Sequence, residues 1–430
     1  MTASQTTSRR TADTAVVLLG VALGLAFAVP ALRYLVLLVA VSVVLVVAYL
    51  REHWLAVVLT VAFLARLLAL AVDTQLGFVV VTGTSIENHQ AFAAFADGLT
   101  RAELVLSPNV RRVILGVLYL PFYLALGGQY AVGAIATAFY GVLLGIPVYY
   151  IVREFGDRRA GLAATGAVLF WPSVFFRSLI VQREIIILLS LFLLLYVAIR
   201  WVTRIRSRDV VVALPALWVL FELRAENILL VAILGVLVIL ARGKFDAVTV
   251  VLFALGSAVA VFFALNFGQL TNYGTTITPA SVDAFAHGRA HGRAVYLVNV
   301  HYRSWLDIVL LAPVKLVYYM FSPLPWQVEQ VIDLLAGVSG WGVFLCSLLV
   351  PHVFRQYPEH RRKLFVLVTY ALVGAMLYGI IEMNYGAAFR RRIAFVSIVV
   401  MLAACVLSEV RVTWEGRRTE TQTTTETTPE

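Results

Sequence analysis

The sequence predicts an all-α fold, a polytopic bundle of about twelve transmembrane helices with interfacial helices between them. Three observations lead there. Of 430 residues, 61% are hydrophobic and 13% charged, with a mean hydropathy of +0.90; a water-soluble surface around a core cannot be built from that ratio. Charge-free runs such as Thr14 to Leu32, Val113 to Val152 and Ala247 to Val282 are long enough to cross about 30 Å of hydrocarbon at 1.5 Å per residue. The ionisable residues gather between such runs, as they do when each run is immersed in lipid. The net charge of +10 and pI near 9.7 come from basic residues scattered among the spans with no continuous stripe, which excludes a nucleic-acid partner.

Charge-bounded apolar segments place the first spans near residues 14–32, 34–50, 54–72, 130–152, 160–177 and 185–203. Six more follow near 210–222, 227–241, 247–266, 328–350, 364–381 and 393–409. The first is preceded by Arg9 and Arg10 in the manner of a secretory signal, but the many spans after it favour an uncleaved helix. The pair around Glu222, Arg224 and Glu226 is short and reads equally as a broken or re-entrant hairpin. Val113 to Leu126 and Trp305 to Ser322 read as interfacial helices, the second closed by Pro323 and Pro325. With both termini cytoplasmic, as the Lys/Arg-rich short loops require, residues 1–409 form one domain in the cell membrane. Two long loops, 73–129 and 268–327, then lie outside. The Thr/Glu-rich segment 410–430 is expected to be a disordered cytoplasmic tail.

Cys346 and Cys405 sit within apolar runs and imply neither a disulfide framework nor a zinc site. No P-loop, dinucleotide fingerprint, zincin motif or nucleophile elbow occurs, so a nucleotide-driven reaction is not expected. No cofactor is indicated, and a divalent metal is left open. Three of the 34 basic residues are lysines; the outer face is rich in arginine, whose planar fork matches phosphate, although lipid headgroups solvate surface arginines equally well and a bias toward Arg codons gives the same skew.

In the first outer loop, Gly83 to Leu99 reads as a short amphipathic helix. Its Glu87 is the candidate catalytic acid, as a base or metal ligand, unless it only favours the helix N-terminus. Charges at a membrane boundary mark functional sites when paired or solvated, and three clusters qualify. The first holds Arg177, Arg183 and Glu184 behind Trp171-Pro172-Ser173, where Arg183 and Glu184 could equally pair just to end a helix. The second, Glu222 to Asn227, holds Arg224 and Glu226, and the third, Glu382 to Arg392, holds Arg390, Arg391 and Arg392, three arginines on the face that basic residues usually avoid. His287 and His291, in His287-Gly-Arg-Ala-His-Gly-Arg293, are candidates for closing over a sugar or phosphate with an imidazole as proton carrier; a solvated loop is the alternative.

Taken together, the acidic helix of the first outer loop, the interfacial helix, Tyr149-Tyr-Ile-Val-Arg-Glu-Phe-Gly-Asp-Arg-Arg-Ala-Gly-Leu162 and the Pro-Ser helix end resemble the GT-C membrane glycosyltransferases, the class that includes PMT-type mannosyltransferases. Phe321-Ser-Pro-Leu-Pro-Trp326 and Asn384-Tyr-Gly-Ala-Ala-Phe-Arg390 are similar to segments of prokaryotic relatives of that class. The resemblance spans about residues 54 to 409. It implies transfer of a sugar from a polyprenyl-phosphate-linked donor to a glycan, lipid or protein acceptor on the outer face. In that class an Asp stands before an aromatic residue in the first loop; here Thr84-Ser85 stand near that place and Glu87 is the nearby acid. A transporter or flippase for lipid-linked saccharides, and a polysaccharide polymerase or ligase, are the alternatives.

Overall fold

The computed structural model describes residues 52–77, 83–101, 110–224, 226–243 and 277–423. Every regular element among them is helical: α1 (His53–Leu76), α2 (Gly83–Thr100), α3 (Val110–Leu126), α4 (Tyr130–Leu143), α5 (Gly145–Arg153), α6 (Arg158–Leu169), α7 (Pro172–Arg177), α8 (Glu184–Trp201), α9 (Ser207–Leu223), α10 (Asn227–Arg242), α11 (Pro279–His287), α12 (Trp305–Phe321), α13 (Val331–Gln356), α14 (Arg361–Ile381), α15 (Tyr385–Arg391) and α16 (Ile393–Thr423).

Five stretches are long and apolar enough to cross a membrane: His53–Asp73, Tyr130–Arg153, Glu184–Trp201, Ala336–Gln356 and Pro358–Ile381. A sixth arises if the pair Tyr385–Arg391 and Ile393–Glu409, bent by 60°, counts as one span. These coincide with the segments expected near 54–72, 130–152, 185–203, 328–350, 364–381 and 393–409. Those expected at 14–32, 34–50 and 247–266 lie outside the described residues. The pair α9 and α10 are separate helices of 17 and 16 residues, about 24 to 26 Å long and shorter than the hydrocarbon core. Of the segment expected to lack order, the backbone as far as Thr423 continues α16.

The span expected at 160–177 is instead broken into α6 and α7. Trp171 leaves the helical path at ψ 131°, and Pro172, which has no N–H to donate, starts the next helix. Arg66 on α1 satisfies the carbonyl freed by the break: its Nη2 donates to Leu169 O at 2.7 Å, its Nε to Ser178 Oγ at 2.6 Å and its Nη1 to Ala62 O at 2.9 Å. This fully buried arginine therefore holds backbone in place by pairing a carbonyl that the helix break leaves open.

The charged residues sort to two ends of the bundle. At one end Lys363 donates to Glu154, Arg200 pairs with Glu154 and Asp209, and Arg158 pairs with Glu52. Apart from Arg200, which falls in the span expected at 185–203, these groups belong to the loops expected inside. Helix α8 carries the chain about 27 Å away at 1.5 Å per residue, to Glu184 and the arginine clusters at the other end. Between the ends lies one apolar core in which Phe63, Phe139, Phe192, Tyr370 and Phe395 are buried.

Helix α12 lies across the second end. Tyr302 just before it donates to Ile380 O at 2.8 Å, the Lys315 carbonyl packs on Gly379, and the Tyr319 ring stacks on Tyr378. Tyr302, Lys315 and Tyr319 thus all bear on the last turn of α14. Gly340 on α13 admits the end of α12, since a Cβ there would stand 2.6 Å from Phe321 O. Trp305, Leu306, Val309, Leu310 and Val317 are exposed at three- and four-residue spacing, the pattern of a helix lying in a membrane interface. On its inner side Lys315 is fully buried, its ammonium 5.4 Å from the Tyr302 ring centroid and without a hydrogen bond.

Candidate functional site

The segment 288–304 is laid over this end by backbone pairing. Tyr296 N donates to Met383 O and Tyr385 N to Ala294 O, forming an isolated antiparallel bridge at Val295 and Asn384. Arg293 holds Asp333 through both Nη atoms, at 2.6 and 2.9 Å. That bidentate bond draws the Asp333 carboxyl down to about 2. The loop thereby delivers Arg289 to the arginines of α15.

Glu382, the last residue before α15 turns away from α14, is fully buried and pairs with Arg391, while Arg289 Nη1 lies 3.9 Å from the same carboxylate. Burial, reinforced by the charge of Arg391, brings Arg289 down to about 10. Beside them Arg224 lies 3.6 Å from Glu184 and 3.7 Å from Glu226, and its buried Nε has no hydrogen bond. Tyr378 donates to Asn227 Oδ1 at 2.6 Å. A small pocket is lined by Glu184, Arg224, Asn227, Tyr378, Arg390 and Arg391. Arg177 donates to Gln182 at 3.1 Å, and its guanidinium lies near Arg390, 5.9 Å from the Phe389 ring centroid. Among the described residues Arg390 has no acceptor. Five guanidiniums (177, 224, 289, 390, 391) thus face three carboxylates (184, 226, 382), a net charge of +2 in a partly dry site where an anion is strongly attracted.

Tyr378 is shared with a second cavity, an apolar groove of about 360 Å³ between α10, α11, α12 and α14. Leu229, Val282, Phe285, Trp305, Ile308 and Ile381 line its walls, and Glu226 and Arg289 stand at its polar end.

The candidates from sequence divide in this setting. Arg177, Glu184, Arg224, Glu226, Arg390 and Arg391 come together. Arg183 donates to Leu223 O at 2.8 Å, tying α8 to the end of α9. Arg392 is buried with Nη1 donating to Tyr319 O and Ser322 O at 3.0 and 2.6 Å, so it closes the end of α12. Adjacent arginines at 390, 391 and 392 therefore serve three different ends. Glu87 lies beyond the first turn of α2, is mostly exposed and pairs with Arg112. His291 is exposed and contributes its carbonyl to Asn384 at 2.6 Å. His287 closes α11: its Nδ1 lies 2.9 Å from Asp283 O, its Nε2 3.0 Å from Val298 O, and its ring stacks on His301 at 4.3 Å. Asp283, His287 and His301 form the one His/Asp group with metal-ligand spacing among the described residues.

Sequence reading did not single out Tyr378, and it gave no role to Arg289 within the motif from His287 to Arg293 or to Glu382 ahead of the three arginines. Glu382 carried a usable signal, an acid at the end of an apolar run eight to ten residues before three arginines. Asp283 and His287, four apart, also share a helix face. Compared with family models, curated proteins and solved structures, the chain matches none.

Proposed function

We propose that this chain is a multi-pass cell-membrane glycosyltransferase of the GT-C kind, with both termini cytoplasmic, moving a sugar from a polyprenyl-phosphate donor to an acceptor on the outer face. The observation that carries the reading is the juxtaposition of an apolar groove, with Glu226 and Arg289 in its wall, and a net-positive arginine pocket, the two sharing Leu230 and Tyr378. A lipid phosphate has these two parts in this order. The isoprenoid chain would lie against Val282, Phe285, Trp305 and Ile308, and the phosphate would meet Arg177 and Arg390, neither of which has a carboxylate within salt-bridge distance among the described residues. In the transfer the bond from the anomeric carbon to the phosphate oxygen breaks, its electron pair staying on the phosphate, while the acceptor oxygen bonds to that carbon. Fixed guanidiniums stabilise the charge arriving on the leaving phosphate. Glu226, 40% exposed and lining the groove, would take the acceptor's hydroxyl proton, since Glu87 lines neither the groove nor the arginine pocket.

Mass spectrometry of lipid-linked saccharides and surface glycans, with and without the gene, tests the reading. One sugar missing from the glycan, with its lipid donor accumulating, is expected. An intact saccharide-lipid stranded on the cytoplasmic leaflet would replace transfer with translocation, and unchanged lipids and glycans would refute both.

A further inference from the structure

The second outer loop brings three donor atoms to one point. Asp283 and His287 face the same side of α11, four residues apart, and His301 reaches them from the segment leading into α12. Asp283 Oδ2 lies 3.4 Å from His287 Nδ1 and 3.1 Å from His301 Nδ1, and all three atoms fall within 4.8 Å of one another. The edge of a tetrahedron with metal–ligand bonds of about 2.0 to 2.1 Å is roughly 3.3 to 3.4 Å, so these separations match a coordination shell.

The surrounding bonds fix the orientation of these groups. His287 Nε2 faces Val298 O at 3.0 Å, and a neutral ring that donates there directs its Nδ1 lone pair inward. Tyr302 N donates to Asp283 Oδ1 at 2.8 Å, leaving Oδ2 turned toward the histidines. Metal-bound histidines and carboxylates are oriented by such outer bonds. His287 Nδ1 lies 2.9 Å from Asp283 O and 3.4 Å from Asp283 Oδ2, so it is held beside the carboxylate oxygen that His301 also approaches.

We propose that Asp283, His287 and His301 bind one divalent transition ion of the zinc type, with a fourth position open to water. Two imidazoles and one carboxylate suit zinc better than calcium or magnesium, which take all-oxygen shells. His301 is 56% exposed, so the open position reaches solvent. The ion joins α11, which supplies Val282 and Phe285 to the apolar groove, to the start of α12, which supplies Trp305 and Ile308. It acts as a clasp across the groove, whatever the groove binds.

The test uses the full chain purified in detergent through a tag without histidine, stripped with chelator and titrated with Co²⁺ at neutral pH. The unmodified protein and His291→Ala are expected to bind one ion per chain with the intense visible absorption of tetrahedral cobalt, displaced by Zn²⁺. His301→Ala and Asp283→Asn are expected to lose that absorption. His301 is exposed, so folding is not at risk there, and an unchanged melting temperature in chelator confirms it. Absence of the absorption in the unmodified protein, or its persistence in both variants, would overturn the proposal.

Discussion

Replacing Lys315 with methionine is expected to stabilise the protein at neutral pH. The ammonium is fully buried beneath α12 without a hydrogen-bond acceptor, and burial lowers it from 10.5 to about 8. At pH 7 the lysine is charged in both folded and unfolded chains, so folding carries the full cost of burying that charge. A displacement of about 2.5 units corresponds to roughly 3 kcal/mol. Methionine removes this cost and fills a similar volume, but gives up the contact with the Tyr302 ring, worth about 0.5 to 1 kcal/mol. A net gain of about 2 kcal/mol remains, or about 2 °C in melting temperature for a chain of this length. The pH dependence is the sharper check. Between about 8 and 10.5 the unfolded chain holds a proton that the folded one has released, so wild-type stability rises with pH in that window. The two proteins should therefore converge as pH approaches 10.5. Melting curves of both in detergent from pH 7 to 10.5 measure this. A Lys315→Met protein that melts lower at pH 7, or a difference that stays constant with pH, would refute the reasoning.

Four further outcomes are expected. Arg177→Lys and Arg390→Lys should each weaken donor use about ten- to a hundredfold, the worth of a charge-assisted hydrogen bond of roughly 1.5 to 3 kcal/mol, while Arg183→Lys should be nearly silent; steady-state transfer assays separate them. Gly340→Ala should cost about 1 to 3 kcal/mol by driving a methyl into Phe321 O, whereas Gly166→Ala, with open space around its Cβ, should not destabilise; melting temperatures decide. The Arg293–Asp333 clamp, with its carboxyl held at about 2, contributes above the ordinary carboxylate pKa of 3.8 and is lost as pH falls from about 4 toward 2, so hydrogen exchange in residues 288–303 should accelerate only over that range. Cysteine at 291 should react with an impermeant thiol reagent in intact cells and cysteine at 158 should not, in a background without Cys346 and Cys405.

Apolar runs were legible because lipid imposes one requirement on every spanning residue, and five expected spans coincide with helices of sufficient length, a sixth with the bent pair α15 and α16. The break in the 160–177 segment was written at Trp171-Pro172, but the sequence could not show that Arg66, more than a hundred residues away, would take the freed carbonyl of Leu169. The arginine pocket was legible in its members and not in their division of labour. Charge and residue type say that Arg390, Arg391 and Arg392 need partners. Only the helix turn between α14 and α16 decides that one meets the pocket, one meets Glu382 and one meets the carbonyls of α12. Arg289, though inside the motif from His287 to Arg293, could not be assigned to the pocket because its place depends on backbone pairing between Val295 and Asn384, which leaves no periodic trace.

The pocket's residues come from positions 177–184, 224–227, 289, 378–382 and 390–391, and this order in the chain has a consequence for biogenesis. A ribosome releases Arg177, Arg224 and Arg289 well before Glu382, and a nascent chain that has passed Arg289 has no copy of the buried acid that Arg289 faces. Until α14 and α15 enter the membrane, those guanidiniums depend on water or lipid phosphates for solvation. Truncations ending before residue 382 should therefore be retained by quality control even when every earlier helix has inserted.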